Sequence, residues 1–460
     1  MNRQSERVNK HDYLVVGAGA GGLLVAVGLQ KFGKDVVVVS ENIGGDCTNF
    51  GCVPSKTLLH LAGKYHSLDS KEEKATLKNS ALKKVRETVE TFIAEEEELI
   101  ATDRYFPGKA HFVSKNTVEV VGAHGTQTIK FRKKCIIATG SRPVRIKLDG
   151  VPEDKIITNE ELFYLDTLPS SITIFGGGPI GAEMATACAH FGITTYLVSR
   201  SYLNKEPAEI AKRSLQELKK IGVQYVSARP VKVEKNKLLL DTGKTIPKTE
   251  LYLSATGRIP NVELNLEAAE VQYDRTGIET TSNLITSNKR IFAIGDVGQN
   301  PQFTHLAASH GKFVMKKIMF PLAKRKERAL PRVTFTSPFI ASVGSVAQTS
   351  TSKIFELDFA ASDTGRTRFD TKSYGLVSVD KNNGKLLGAS LYGHFSADLI
   401  NLFTLMIDEQ IPVIRLADFI TPYPTYANVL HKVTVEYLQF LSASFKKNPV
   451  RTAWLLRKYL

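Results

Sequence analysis

The chain has 460 residues, enough for about three domains. Hydrophobic residues at 42% and charged residues at 23% describe a soluble protein with ample core, and exclude a fibrous or disordered one. Four cysteines are too few for a disulfide-stapled secreted protein, and a net charge of +15 without a nucleic-acid-binding motif points to anionic cofactors, substrates or membrane surfaces. The polar start, Met1 to Asp12, has no apolar core of a secretory signal, and no run approaches the roughly 20 apolar residues of a membrane span. These features predict a cytoplasmic protein.

Tyr13-Leu14-Val15-Val16 reads as a short buried strand, and Leu23 to Phe32 as an apolar helix. Between them Gly17, Gly19 and Gly22 form G-x-G-x-x-G: a tight turn, a close approach for a pyrophosphate, and close helix–strand packing. The phosphate then sits on the helix N-terminus. A second strand, Val36-Val37-Val38-Val39, completes the unit and makes the motif specific. The acidic residue that holds an adenosine ribose belongs at the end of that strand. Ser40 occupies the position, so Glu41, next along, takes the role, and the connection to Gly44 is short.

Gly44-Gly45-Asp46-Cys47-Thr48-Asn49-Phe50-Gly51-Cys52-Val53-Pro54-Ser55-Lys56 follows. Cys47 and Cys52 are close enough to close a small disulfide if the segment is a helical turn. A short bridge on one element is easily opened and can relay electrons. Lys56, one turn beyond Cys52, puts a cation beside whatever that sulfur faces. Cys135 and Cys188 have apolar neighbours and read as core thiols. From Lys71 to Glu98 the chain is highly charged; Leu82, Val85, Val89, Phe92 and Ile93 recur at helical spacing, predicting an outer helix with one buried face. Val118–Val121 and Thr128–Phe131 read as a strand pair.

A second nucleotide fold begins at Ile172-Thr173-Ile174-Phe175, with Gly176, Gly178 and Gly181 repeating the glycine motif. Two such units in one chain imply two dinucleotides. The next strand, Thr195 to Val198, ends at Ser199-Arg200-Ser201. NAD wants a carboxylate there, whereas a 2′-phosphate wants a cation; Arg200, with Lys205 and Arg213 nearby, favours NADPH over NADH. Beyond Pro331, Val333–Thr336, Ile340–Gly344, Tyr374–Val379 and Leu386–Tyr392 alternate as strands, with a hairpin turn at Asp380–Gly384 and helices over Ala397–Glu409 and Pro424–Ser442.

The paired glycines, both cysteines, Gly51, Pro54 and Lys56 together resemble the redox-active disulfide of the class I flavoprotein pyridine nucleotide-disulfide oxidoreductases, among them mercuric reductase and dihydrolipoamide dehydrogenase. The resemblance covers nearly the whole chain. It implies an α/β fold: two Rossmann-like nucleotide domains, for FAD and NAD(P)H, and an α+β C-terminal dimerisation domain. The expected segments are 10–150 and 266–328 for FAD, 151–265 for NAD(P)H, 329–442 for a homodimer interface, and a tail over 443–460. The resemblance implies that Gly45 belongs to the FAD site, Gly108–Phe112, with Ala110, offers backbone to the adenine, Ala138-Thr139-Gly140 ends the first FAD segment, and Gly257 closes the nicotinamide domain. It assigns Asp296 to the ribityl chain, and it sets the N-terminus of the helix opened by Phe303 to Ala307, including His305, against the flavin pyrimidine, where its dipole stabilises negative charge. It also makes Cys52 the flavin-proximal sulfur and Cys47 the sulfur that meets substrate, and it pairs Lys56 with Glu183 near the nicotinamide.

The pattern fails at the end. Disulfide-substrate members carry His-Pro-Thr-x-x-Glu, but here Tyr423 and Asn428 stand in the His and Glu places. A phenol with pKa near 10 is a poor base at neutral pH, so disulfide substrates fit badly. Mercuric reductases hand the metal over with a late cysteine pair, and no cysteine follows Cys188. The expected acceptor is a small molecule or metal ion, with Tyr423 of a partner copy lining its site. Two alternatives stay open: a membrane-associated flavin quinone reductase, and a redox-sensing flavoprotein with little turnover. The tail, with Lys446, Lys447, Arg451, Arg457 and Lys458 among Phe445, Trp454 and Leu455, could lie on an anionic membrane or pack on the dimer.

Overall fold

The two apolar runs near the amino end become adjacent parallel strands, and the site grows from where they stop. β1 (Val8–Gly19) pairs with β2 (Val36–Gly44), Tyr13 against Val36 and Val16 against Val39. Side chains alternate across a strand, so Leu14, Val16, Val37 and Val39 enter the core on one face of the sheet. Tyr13, Val15, Val36 and Val38 enter the core on the other, which is why both runs are continuously apolar. The computed structural model describes residues 8–123 and 125–445, which gather into two compact units. One comprises the chain up to Phe175 together with Pro230–Lys326; the other comprises Gly176–Arg229 together with the chain from Glu327.

In the first unit, α1 (Ala20–Lys31), α2 (Gly45–Asn49), α3 (Cys52–Ser67) and α4 (Lys71–Glu97) accompany a seven-stranded sheet. Its order is β3 (Tyr105–Pro107), β2, β1, β6 (Gly125–Ile137), β5 (Thr117–Gly122), β4 (Lys109–Ser114), with Ile291–Ala293 also parallel to β6. The predicted pair around Val118 and Ile129 is antiparallel. The Thr304–Met319 helix lies against α1, and small residues permit it. A Cβ on Gly21 would stand 2.9 Å from the Ala307 carbonyl oxygen, and one on Gly311 2.7 Å from that of Gly21.

α3 and α4 form a hairpin, with Ser70 accepting the Glu73 N–H to cap α4. Leu77, Ala81, Leu82, Val85 and Val89 are buried, but Phe92, expected on the same face, is exposed. The 27-residue α4 outruns the 16-residue α3, and its last turn meets α2 instead, where the Thr48 hydroxyl donates to Glu96. Ser171–Phe175 pairs in parallel with Leu251–Ser254, which pairs with Ile156–Ile157.

In the second unit, Thr194–Val198 pairs in parallel with Gln224–Val226, and the Pro179–His190 helix is buried along most of its length. A five-stranded antiparallel sheet follows, in the order Arg332–Thr334, Ile340–Gly344, Leu386–Tyr392, Tyr374–Asp380, Ser352–Asp358; the last strand was not foreseen. Ile400, Phe403 and Met406 of the Ser396–Asp408 helix fill its core. The last helix starts at Leu430, not Pro424, because Thr425 and Asn428 cap a short 3-10 turn over Tyr426–Val429. From residue 446 the expected basic tail lies outside the described residues. Among the described residues no helix is long and apolar enough to cross a membrane.

Phe403 is 0% exposed within this core. Phe403→Ala should cost about 3–5 kcal/mol, read as a lower denaturant midpoint for the second unit. An unchanged midpoint would remove that helix from the cooperative core.

Candidate functional site

A cavity of about 620 Å³ opens in the first unit at the carboxyl ends of β1 and β2, where open α/β sheets bind ligands. Gly17 has φ +106°, and a Cβ there would fall on the Ala138 carbonyl oxygen. A Cβ on Gly22 would fall on the Gly17 carbonyl oxygen. Gly19 is the N-cap of α1 with no side-chain cap, so the first N–H groups of the helix have no capping acceptor. β2 runs on beside β1 to pair Gly44 with Gly19. That brings in Gly45 (φ +59°), whose Cβ would stand 2.7 Å from Gly19 Cα.

The predicted wall residues Glu41, Ala110, Thr139 and Gly140 line the same cavity. Glu41 lies 3.5 Å from Lys109, while Ser40 is engaged in holding its loop through Asn42, Tyr105 and Gly108. Asn261 clamps the opposite wall. Its side chain donates to the Thr139 carbonyl (2.9 Å), its backbone N–H donates to the Gly140 carbonyl (3.0 Å), and the Thr139 hydroxyl donates to its carbonyl (2.8 Å). Gly257 (φ +138°) accepts the Val144 N–H.

Four charged and polar groups run on from the cavity wall. Asp296 accepts the Ser141 hydroxyl at 2.9 Å, and burial raises its carboxyl pKa. Arg258 donates to Ser141 Oγ at 2.8 Å and meets Asp46 at 2.8 Å. Bare helix N–H groups suit a diphosphate, a half-buried carboxylate suits sugar hydroxyls, and the glycines leave room, so the residues present fit FAD.

Cys47 in α2 and Cys52 at the start of α3 are not joined in a disulfide but are hydrogen-bonded to each other. That bond, and then burial, push the Cys47 thiol pKa well up. Sequence reasoning passed over Thr304. Its hydroxyl lies 3.6 Å from Cys52 Sγ, also bonds Cys47, and opens a 16-residue helix whose N-terminus favours negative charge. His305, beside it, is exposed, with its ring against Phe303; Ala307 packs on Gly295 and Gly21. His310 was also missed. It is fully buried, accepts the Gly295 N–H, meets Arg325 at 3.0 Å, and burial lowers its pKa to about 4. It therefore stays neutral and holds the turn that carries Asp296. Lys56 is half-buried on α3, and Cys135 and Cys188 are buried, as expected.

In the second unit Gly176 (φ +114°), Gly178 at the uncapped helix start and Gly181 repeat the first motif; a Cβ on Gly181 would fall on the Gly176 carbonyl oxygen. Glu183 is buried and accepts the Phe335 N–H at 3.0 Å. Arg200 and Lys205 are exposed beyond Val198. Arg213 does not join them: it pairs with Glu209 and lies 4.2 Å over the Tyr374 ring. Tyr423 is 73% exposed and donates to Asp363, which raises its phenol pKa. Asn428 accepts the Thr425 N–H and donates to Thr421.

Residues 11–311 match the model of the pyridine nucleotide-disulphide oxidoreductases, and residues 330–434 that of their dimerisation domain. A dihydrolipoyl dehydrogenase of Geobacillus stearothermophilus is 32% identical, over 90% of this chain and 94% of its own. A mercuric reductase of Staphylococcus aureus is 30% identical, over 92% and 82%. The Cu(II) complex of the HOCl-induced flavoprotein disulfide reductase RclA from Escherichia coli superposes with a TM-score of 0.84 at 25% identity, over 93% and 100%.

Arg258→Gln would leave Asp46 and Asp296 beside the cavity without the cation that both feel. Flavin retained through gel filtration should fall about tenfold or more, and Asp46→Asn in the same chain should restore much of it. Equal loss in the single and double variants would contradict this electrostatic account.

Proposed function

The chain belongs to the pyridine nucleotide-disulphide oxidoreductase family, and on that premise we propose a homodimeric NADPH-dependent flavoprotein reductase that passes two electrons through Cys47 and Cys52 to a small acceptor. One observation carries it: two thiols share a hydroxyl neighbour in the unit that also holds the glycine-walled cavity. The chemistry FAD supplies when bound is a two-electron relay between a nicotinamide and a disulfide.

Gly17, Gly19, Gly22 and Gly45 seat the FAD diphosphate against α1, and Glu41 takes the ribose hydroxyls. Ala110, Thr139 and Gly140 would close the wall, Asp296 would accept ribityl hydroxyls, and His305 and Ala307, in the first turn of the Thr304–Met319 helix, would help hold the flavin. Gly176, Gly178 and Gly181 would seat the NADPH diphosphate and Arg200 would take its 2′-phosphate, while the family resemblance gives Lys56 and Glu183 each a role in hydride transfer. One hydride equivalent from NADPH opens the disulfide to one thiol and one thiolate; the pair closes again, releasing that proton, as two electrons pass to the acceptor. Cys47, with its pKa raised, keeps its proton and meets the acceptor, while Cys52 carries the negative charge beside Thr304. Exposed Leu405 and Ile420 offer apolar surface to a second copy. A reducing cytoplasm suits such a transient bridge.

The acceptor is one that needs little proton delivery: an electrophilic oxidant, a soft metal ion or a quinone. Tyr423 is a poor base made poorer by Asp363, and Asn428 is committed to its own turn. Relatives described as HOCl-induced with bound Cu(II), and as a mercuric reductase, support this class.

Anaerobic NADPH should bleach the flavin and add two titratable thiols, and Cys47→Ser should abolish turnover across a panel of disulfides, Hg²⁺, Cu²⁺, hypohalous or hypothiocyanous oxidants and quinones. An unchanged thiol count, or undiminished turnover in Cys47→Ser, would take the cysteines out of the mechanism. Arg200→Ala should raise KM for NADPH about tenfold and leave KM for NADH unchanged; equal effects on both would remove Arg200 from 2′-phosphate recognition.

A further inference from the structure

The first unit carries a second feature, remote in kind from any redox chemistry. After the Thr304–Met319 helix the chain makes a tied turn: the Ala323 N–H donates to the Phe320 carbonyl at 2.9 Å, and Lys317 Nζ donates to the Ala323 carbonyl at 2.7 Å. The turn displays Phe320 at 65% and Leu322 at 93% exposure. Large apolar side chains held outward by a fixed turn lose their hydration only against another surface.

The neighbouring helix end adds to this tip. The contact glycines pair Gly21 with Ala307 and Gly311, and Gly28 with Met315, so α1 and the Thr304–Met319 helix run parallel. Their carboxyl ends therefore lie together, and α1 ends at Phe32, 56% exposed. Around these three residues basic side chains predominate. Between Gly311 and Lys326 stand Lys312, Lys316, Lys317, Lys324, Arg325 and Lys326, without a carboxylate among them. Lys31 and Lys34 close α1, and Lys134 is near enough to Lys317 and Arg290 for their charges to lower its pKa, after burial. Two acids flank this set in sequence: Asp35, already held by His11, Arg104 and Arg132, and exposed Glu327, which follows Lys326 directly.

We propose that this end of the helix pair is a peripheral membrane-docking surface: Phe320, Leu322 and Phe32 enter the headgroup–acyl boundary, and the surrounding lysines meet anionic lipid headgroups. Aromatic and leucine side chains at a tip ringed by cations have the composition of an interfacial anchor. Lysine stems can reach outward while their ammonium groups stay in water. An acidic protein segment would use the cations but has less use for a leucine exposed at 93% on a turn. The surface is separate from the cavity and the thiols, so its fate is independent of the reductase reading.

The test is vesicle co-sedimentation of the full flavin-loaded chain. Wild type should bind phosphatidylcholine vesicles containing phosphatidylglycerol, bind pure phosphatidylcholine weakly, and release with salt. Phe320→Ser/Leu322→Ser should lower partitioning at least about tenfold, as should Lys316→Gln/Lys324→Gln/Lys326→Gln. Unchanged flavin content and thermal midpoint show that the variants are folded. No binding by wild type at low salt overturns the proposal. So does binding undiminished in both variants, which would put the contact elsewhere in the chain. Capture of polyglutamate, with vesicles ignored, would assign the surface to acidic polypeptides and overturn it as well.

Discussion

Backbone resting on backbone is the constraint from which the site follows. Gly45 approaches Gly19 so closely that no side chain fits between them, and both flank the bare N-terminus of α1. Cys47 comes two residues after Gly45. The contact that shapes a phosphate cradle therefore also fixes where the first sulfur stands. On the far side of α1, Gly21 and Gly311 let a second helix lie close, and that helix begins at Thr304, beside Cys52. A few missing Cβ atoms thus bring three loops to one place, and any of them replaced would move the thiols and the cradle together.

Charge is the second organising influence. Asp46, Glu160 and Asp296 gather near a cavity suited to a diphosphate; burial raises the Glu160 and Asp296 pKa values, with Asp46 adding to both. Arg258 offsets that crowding by touching Asp46 and Ser141 at once. At the other end of the chain the expected histidine–glutamate pair is replaced by Tyr423 and Asn428, and each is tied to a local partner. On the reading proposed above, the chain retains the paired cysteines but carries neither the histidine nor the glutamate of disulfide-substrate members, and that narrows the proposed acceptors.

Much of this is legible in the sequence itself. The glycine motifs, the valine strands and the spacing of Cys47 and Cys52 are local patterns, and each maps onto local backbone geometry. What escaped were contacts across long stretches of sequence. Thr304 is 252 residues from Cys52, and nothing near it marks a thiol partner. His310 and Arg258 act only through folds of distant loops. Helical spacing correctly gave α4 a buried stripe but could not show that α3 stops short of Phe92. Arg213 carries the right charge in the right neighbourhood, yet Glu209 and Tyr374 already hold it.

The central claim is that the cavity beside the dithiol is built for a flavin. Its most direct test is the visible spectrum of the purified chain, with flavin quantified after denaturation. The account predicts a yellow protein releasing one FAD per chain. A colourless protein that takes up no FAD on reconstitution would contradict it, whatever its glycines and cysteines suggest.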